Sequence, residues 1–288
     1  MARDYPLAAY AVRMNPNSKL IVTRHVLFPL NRLHRITLAK AARIIAVSQA
    51  VASQLRADRV APAEKVSVVL NGIDVARFAK AREQFDRSRF LNDWKLPTNS
   101  LLVGTVGELT PLKGQEEFLG AAAKVRKEYP NAHFIIAGID HSRGNKHRAR
   151  IEQVIEELEL TQHVRLIDWP EDLSQLYCGL DVFVSASHTE SFGLALAEAM
   201  ASSTAIVATE TEGARELLKH GETGLLVPIG DVDQLAEAMV RLLKDPDKRT
   251  SLADAARQDA ATRFSVERMI AETEELYEAA IRNTGENL

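Results

Sequence analysis

From Leu101 onward, short apolar runs alternate with longer stretches whose apolar residues recur every three or four positions. Runs of the first kind fit strands buried on both faces, and stretches of the second kind fit helices with one packed side. The pattern predicts strands in LLVGTVGEL (101–109), HFIIAGI (133–139), HVRLI (163–167), DVFVSA (181–186), TAIVAT (204–209) and GLLVP (224–228). It predicts helices in PLKGQEEFLGAAAKVRKEYP, which stops at Pro130, and over about 145–160, 171–177, 192–201, 213–219 and 231–244. Strands separated regularly by helices imply a parallel sheet with right-handed crossovers. Such a doubly wound α/β domain receives ligands at the carboxyl ends of its strands.

The start of the chain shows the same alternation on a smaller scale. MARDYPLAAYAVRM reads as a helix, KLIVTRH (19–25) as a strand, and RITLAKAARIIAVSQAVASQLRAD (35–58) as helix, strand and helix. KVSVVLNGID (65–74) reads as a last strand with its exit. Near the other end, SVERMIAETEELYEAAIRN (265–283) puts Met269, Ile270, Leu276, Tyr277 and Ile281 on a packing face. The expected organisation is a first α/β domain over 1–78, a linker over 79–100, and a second α/β domain over 101–262. A closing helix within 263–288 is expected to pack back on the first domain.

Composition narrows the function classes. The 288 residues are 46% hydrophobic and 26% charged with a formal net charge of −3, an ordinary soluble profile long enough for one large or two smaller domains. The single cysteine, Cys178, excludes an internal disulfide and a thiolate metal cluster, and fits a reducing compartment. No eighteen-residue apolar run and no signal-peptide pattern is present. Charge is uneven, since residues 1–78 hold 12 Lys and Arg against 4 Asp and Glu. That segment either faces something anionic or packs against its acidic neighbour. With the chain slightly acidic overall, and no recognition-helix, zinc-finger or aromatic RNA-binding pattern, a nucleic-acid partner is not expected.

The chemistry concentrates in SHTESFGLALAEAM (187–200). Glu190 falls in the loop after a predicted strand, and Glu198 lies about two turns into the following helix. Between them the N–H groups of Ser191, Phe192, Gly193 and Leu194 stand at a helix start, where an anion is favoured. Carboxylates for hydroxyls and backbone donors for phosphate would suit a phosphorylated, polyhydroxylated ligand; a capping glutamate plus an exposed helical one is the plainer alternative. A second loop, VGELTPLKG (106–114), offers Gly107 and Lys113 for phosphate oxygens, though it is neither a dinucleotide fingerprint nor a P-loop. ETEGARELLKHGETGLLVP (210–228) adds Gly213 and Glu216 at a third strand end. No His/Asp cluster has metal-ligand spacing, so no metal is expected.

These segments, with NGID (71–74), HFIIAG (133–138) and VRLIDWPEDLSQLYCGLDVFVSASHTESFGLALAEAMA (164–201), resemble in order and spacing the donor-binding half of GT-B glycosyltransferase family 4. The resemblance implies a complete C-terminal Rossmann-like domain, a truncated N-terminal Rossmann-like domain, and a retaining, metal-independent transferase using a nucleotide sugar. UDP- or GDP-sugars are the expected donors, as substrate rather than cofactor; the acceptor is unknown. It further implies that Glu190 contacts sugar hydroxyls, Glu198 the ribose, and the turn Ser191–Leu194 the diphosphate and sugar. Lys113 would neutralise the diphosphate, with Gly107 beside it and Trp169 near the base. Lys113 and Glu190 are the catalytic candidates.

The chain also departs from that pattern. Glu108 stands where the family has arginine, and would repel the diphosphate unless it points away or Arg143, Lys146 or Arg215 compensates. Asp168 replaces a common glycine, and Ser203 and Ala205 replace a glycine and a proline. The opening strands and glycine-rich loop of the first domain are expected to be absent; His25 is not equated with a family site histidine, and His34 reads as a solvated helical residue. A homodimer or a partner covering the reduced domain is one expectation. The basic residues Arg32, Arg35, Lys40 and Arg43 read first as an ordinary solvated helix face and second as a peripheral membrane contact; the expected location is cytoplasmic, at the inner membrane face if that contact is made. A catalytically impaired sugar-nucleotide binding protein or partner subunit remains the alternative to a working transferase. An oxidoreductase is disfavoured by the missing GxGxxG, and a phosphorylase by the missing cofactor-lysine site.

Overall fold

A computed structural model describes residues 4–15, 17–28, 30, 32–59 and 61–282. Residues 283–288 of the expected closing segment and the side chain of Arg32 lie outside the described residues. The chain divides into two compact units, Met1–Gly72 with Phe264–Leu288, and Ile73–Arg263.

The first unit runs α1 (Tyr5–Met14), β1 (Ile21–Arg24), α2 (Arg32–Leu38), β2 (Arg43–Ala46), α3 (Gln49–Ala57) and β3 (Val66–Val68). Its three strands are parallel in the order β1-β2-β3. Ile44, Ile45 and Ala46 of the central strand are buried under α3, whose start Ser48 caps by accepting from the Val51 N–H. His34 is half-buried rather than solvated, its ring edge-on to Tyr5 at 5.9 Å.

The second unit opens with α4 (Val75–Glu83) and α5 (Arg87–Asp93), so residues 79–100 carry helix and belong to this unit. Asp74 and Asp86 cap the two helices by accepting from the N–H groups of Arg77 and Arg89. Then follow β4 (Leu101–Val106), α6 (Gln115–Glu128), β5 (Ala132–Ala137), α7 (Lys146–Glu157), β6 (Val164–Ile167), α8 (Leu173–Gly179) and β7 (Val182–Ser185). The unit continues with α9 (Leu194–Ala201), β8 (Ala205–Thr209), α10 (Glu212–Leu217), β9 (Leu225–Val227), α11 (Val232–Lys244) and α12 (Pro246–Arg263). All six strands are parallel, in the order β6-β5-β4-β7-β8-β9. β7 and β8 are buried at every position, as strands covered on both faces must be. Phe118 and Phe134 meet edge-on in the core, as do Tyr177 and Phe183.

α12 has no counterpart in the sequence reading, because its buried residues are Leu252 and three alanines rather than a stripe of large apolar side chains. A closing helix, α13 (Val266–Arg282), groups with the first unit. There the Gly72 N–H points at the Met269 sulfur at 3.1 Å, and a Cβ on Gly72 would stand 2.6 Å from the Val266 Cα. No helix among the described residues is long and apolar enough to cross a membrane.

Candidate functional site

The strand order fixes where a ligand can enter the second unit. From β4 the chain steps outward to β5 and β6, then returns to the other side of β4 for β7 and steps outward again. The order reverses between β4 and β7, and the loops leaving their carboxyl ends splay apart to make the crevice such sheets use for binding. Those two loops are 107–114 and 186–193, two of the three strand-end segments that the sequence singled out.

Across that crevice Lys113 Nζ donates to Glu190 Oε1 at 2.5 Å, and the Ser187 hydroxyl donates to the same oxygen at 3.0 Å. Both charged side chains are mostly shielded, at 30% and 14% exposure, so the pair is stronger than a surface pair yet open to an incoming ligand. Four contacts hold the loops in place. The His188 N–H donates to the Leu112 carbonyl at 2.9 Å, and the Gly213 N–H, from α10, donates to the Glu190 carbonyl at 3.1 Å. The Thr209 hydroxyl, at the end of β8, donates to the Ser187 carbonyl at 2.5 Å. His188 Nε2 donates to Glu117 Oε1 at 2.7 Å, since a carboxylate only accepts. Gly114 turns the first loop into α6 with φ +65°, and a Cβ there would stand 2.0 Å from the Ala186 carbonyl oxygen. Only glycine lets these two loops lie backbone to backbone.

The remaining predicted residues spread along the same edge. Lys113 lays its side-chain carbons over Gly107, so the two are neighbours. Gly193 caps α9 in the left-handed region at φ +101°, leaving the first N–H groups of that helix beside Glu190. Phe192 is buried, so it offers the site backbone only; Leu194 and Trp169 are exposed. Trp169 follows β6, three strand spacings or about 14 Å from β7. Glu198 is not an exposed helical residue: its Oε2 accepts from the fully buried Tyr177 hydroxyl at 2.9 Å. Burial pushes the Glu198 carboxyl up, more than the Tyr177 hydroxyl and Arg77 draw it down, and burial beside Glu198 raises the Tyr177 phenol well above its usual value.

Glu108 is exposed, and Gln115 holds its carbonyl rather than its carboxylate. Of the three bases weighed against it, Arg143 and Lys146 are exposed, and Arg215 is paired with Glu210. Asp168 pairs with Arg148 at 2.9 Å. After β5, burial pushes the Asp140 carboxyl up, but the Ser142 hydroxyl and the N–H groups of Arg148, Ser142 and His147 hold it well below the usual range. It is committed to the start of α7. Among the described residues no group of three or more His, Cys, Asp or Glu is gathered as a metal site would need. The four large apolar residues of this unit that stand exposed among the described residues are Leu112, Trp169, Leu194 and Ile229, and each follows a strand's carboxyl end. Sequence reasoning missed Ser187, His188, Glu117 and Thr209; the Ser-x-x-Glu spacing of 187–190 was the one signal present.

The profile of the glycosyl transferases group 1 family matches residues 86–259, more than half of the chain. The chain belongs to the glycosyl transferases group 1. Residues 2–77 match the profile of glycosyltransferase family 4, and the fold is GT-B, with two Rossmann-like α/β domains of three and six strands. This group 1 chain is 34% identical over 219 residues to D-inositol 3-phosphate glycosyltransferase of Corynebacterium urealyticum, covering 74% of the chain and 51% of that relative. It is 24% identical to N-acetyl-alpha-D-glucosaminyl L-malate synthase of Bacillus anthracis, over 88% of the chain and 64% of that protein. The chain thus spans about half the length of the D-inositol 3-phosphate glycosyltransferases it matches. Among solved structures, HepE of Anabaena in complex with UDP and glucose superposes with a TM-score of 0.87 at 24% identity, over 96% of the chain and 76% of HepE. Sucrose-phosphate synthase of Thermosynechococcus elongatus superposes with a TM-score of 0.81 at 25% identity, over 95% and 71%.

Proposed function

We propose that the crevice at the carboxyl ends of β4 and β7 binds a nucleotide-diphosphate sugar, and that the protein transfers its hexose to an acceptor hydroxyl with retention. The observation that carries this is the Lys113–Glu190 pair across the switch point, beside the start of α9. In the structure the two charges satisfy each other. A diphosphate competes for Lys113 and the α9 N–H groups, and frees Glu190 to accept hydrogen bonds from sugar hydroxyls. Trp169, about 14 Å along the edge, suits the base end of so extended a ligand. In the reaction the bond from the anomeric carbon to the diphosphate oxygen breaks and the electron pair leaves with the diphosphate. The acceptor oxygen bonds to that carbon, and its proton passes to the leaving phosphate. Negative charge grows on the diphosphate while the sugar becomes oxocarbenium-like, so a fixed ammonium and preset N–H donors lower the barrier.

Family membership supports this reading, as do relatives named as glycosyltransferases and a similarly folded protein solved with UDP-glucose. Glu108 favours a second reading, a sugar-nucleotide binding protein impaired in transfer, because it sets a carboxylate directly after Gly107. A panel of UDP- and GDP-sugars, titrated calorimetrically and assayed for released nucleotide, separates the two. Binding with slow nucleotide release supports transferase chemistry, binding with none supports the second reading, and no binding rejects both. A cytoplasmic location is proposed together with this reading. The basic residues Arg35, Lys40 and Arg43 of the first unit are the surface proposed for a peripheral membrane contact, and a second copy of the chain is the proposed cover for its small sheet. Co-sedimentation with anionic vesicles and light scattering test these two proposals.

A further inference from the structure

The six-stranded sheet carries a second cavity, of about 770 Å3, at its amino-terminal edge. That is the end away from Lys113 and Glu190, where β4, β7 and β8 begin. Its floor is made of small residues, Ala79 from α4, Ala253 from α12, and Ser203 and Ala205 at the start of β8. Ser203 sits in the left-handed region at φ 53°, unusual for a residue with a side chain, and its hydroxyl donates to Asp254 at 2.9 Å.

Arginines form the rim, and they are not equivalent. Arg87 is committed to the structure, donating to the Gly179 and Ser100 carbonyls and pairing with Asp181 at 2.7 Å. Arg249 donates to the Leu242 carbonyl at 3.0 Å and lies 3.7 Å from Asp181. Arg82 donates to the Cys178 carbonyl at 3.1 Å, also meets the Cys178 thiol, and pairs with no carboxylate among the described residues. Arg257 makes no ion pair or hydrogen bond among the described residues. It stands two turns from Arg249 on the same face of α12, about 12 Å along the axis, with Ala253 opening the space between. Two cations without carboxylate partners thus face one hollow, whose other polar groups include Asp254, Glu83 and Thr250.

We infer that this cavity binds a phosphorylated polyol, a sugar phosphate or similar phosphomonoester, with Arg82 and Arg257 on the phosphate and Asp254, Glu83 and Thr250 on its hydroxyls. The volume lies within the range of small-molecule sites. A bare anion would meet the carboxylates as well as the arginines, whereas a polyol phosphate uses both. The inference is independent of the donor reading, which concerns the other end of the sheet.

Calorimetric titration of the full chain with glucose 6-phosphate, inorganic phosphate and glucose tests it, on wild type, Lys113→Ala and the double variant Arg82→Gln/Arg257→Gln. Glucose 6-phosphate should bind wild type and Lys113→Ala alike, and at least about tenfold more weakly to the double variant, a change of about 1.4 kcal/mol. Phosphate should bind more weakly than glucose 6-phosphate, and glucose not at all. Thr250→Trp, at an exposed position on the rim, should block binding with all four arginines kept; thermal unfolding confirms that each variant is folded. Absence of binding, retention in the double variant, or loss in Lys113→Ala would overturn the proposal. Equal affinity for inorganic phosphate would overturn the polyol part.

Discussion

The two edges of the six-stranded sheet begin and end the same strands, yet they use charge in opposite ways. At the carboxyl edge, the side chains of Lys113 and Glu190 come from loops 77 residues apart and, among the described residues, hold each other and a serine hydroxyl. At the amino edge, Asp181 accepts both the Leu102 N–H at 2.7 Å and the Arg87 guanidinium at 2.7 Å, so this pair ties α5 to the first turns of β4 and β7. The exposed large apolar residues of the unit lie at carboxyl ends. One edge keeps charges that a ligand can exchange; the other spends them on the fold and leaves its spare arginines on a rim. The lesson is that an ion pair signals function when its partners have few other bonds and sit where other contacts already fix the loops.

Substitutions on each edge sharpen that contrast. The largest effect is expected from Gly114→Ala, which drives a methyl into the Ala186 carbonyl and strains the backbone at φ +65°. Stability should fall by about 4 kcal/mol or more, with donor binding lost, as read by denaturant unfolding and calorimetry. Next, Asp181→Ala leaves Arg87 and the Leu102 N–H unmatched, and should cost about 3 kcal/mol of stability while leaving nucleotide-sugar affinity in the folded protein unchanged. A loss of affinity without a loss of stability would reverse the assignment of the two edges.

Tyr177→Phe should cost about 1–2 kcal/mol, because Glu198 loses its buried donor. The Glu198 carboxyl is raised by burial in the folded state, so the native protein binds its proton more tightly than the unfolded chain does. Stability from this group is therefore lost as pH rises from the ordinary glutamate value through the raised one. Glu198→Gln should flatten that part of the stability–pH curve. The smallest effect is Glu108→Arg. Replacing an exposed carboxylate beside Gly107 with a cation should tighten diphosphate binding roughly two- to fivefold, a surface-charge effect of up to about 1 kcal/mol that added salt reduces. A variant that binds no tighter would show that Glu108 faces away from the crevice.

Much of the second unit was legible because its central strands are uninterrupted apolar runs and α11 has a wide apolar face. α12 was not, since small alanines bury without an amphipathic stripe. α5 was read as linker because its seven residues hold their place through the Asp86 cap and the bonds of Arg87. Within the site, loop positions followed from strand ends alone. The pairing of Lys113 with Glu190 did not, because it depends on β7 lying beside β4, a long-range choice that no local pattern carries. The same holds for Glu198, whose partner Tyr177 lies on a different helix.

In the proposed site Lys113 serves the diphosphate and Glu190 the sugar. Calorimetric titration of UDP and of UDP-glucose into wild type, Lys113→Gln and Glu190→Gln tests that division directly. Lys113→Gln should weaken both ligands by roughly ten- to a hundredfold, the worth of one charge-assisted hydrogen bond. Glu190→Gln should weaken UDP-glucose by a similar factor and leave UDP bound at least as tightly, since Lys113 is then released from its partner. UDP binding that ignores Lys113, or that falls together with UDP-glucose when Glu190 is changed, would contradict it.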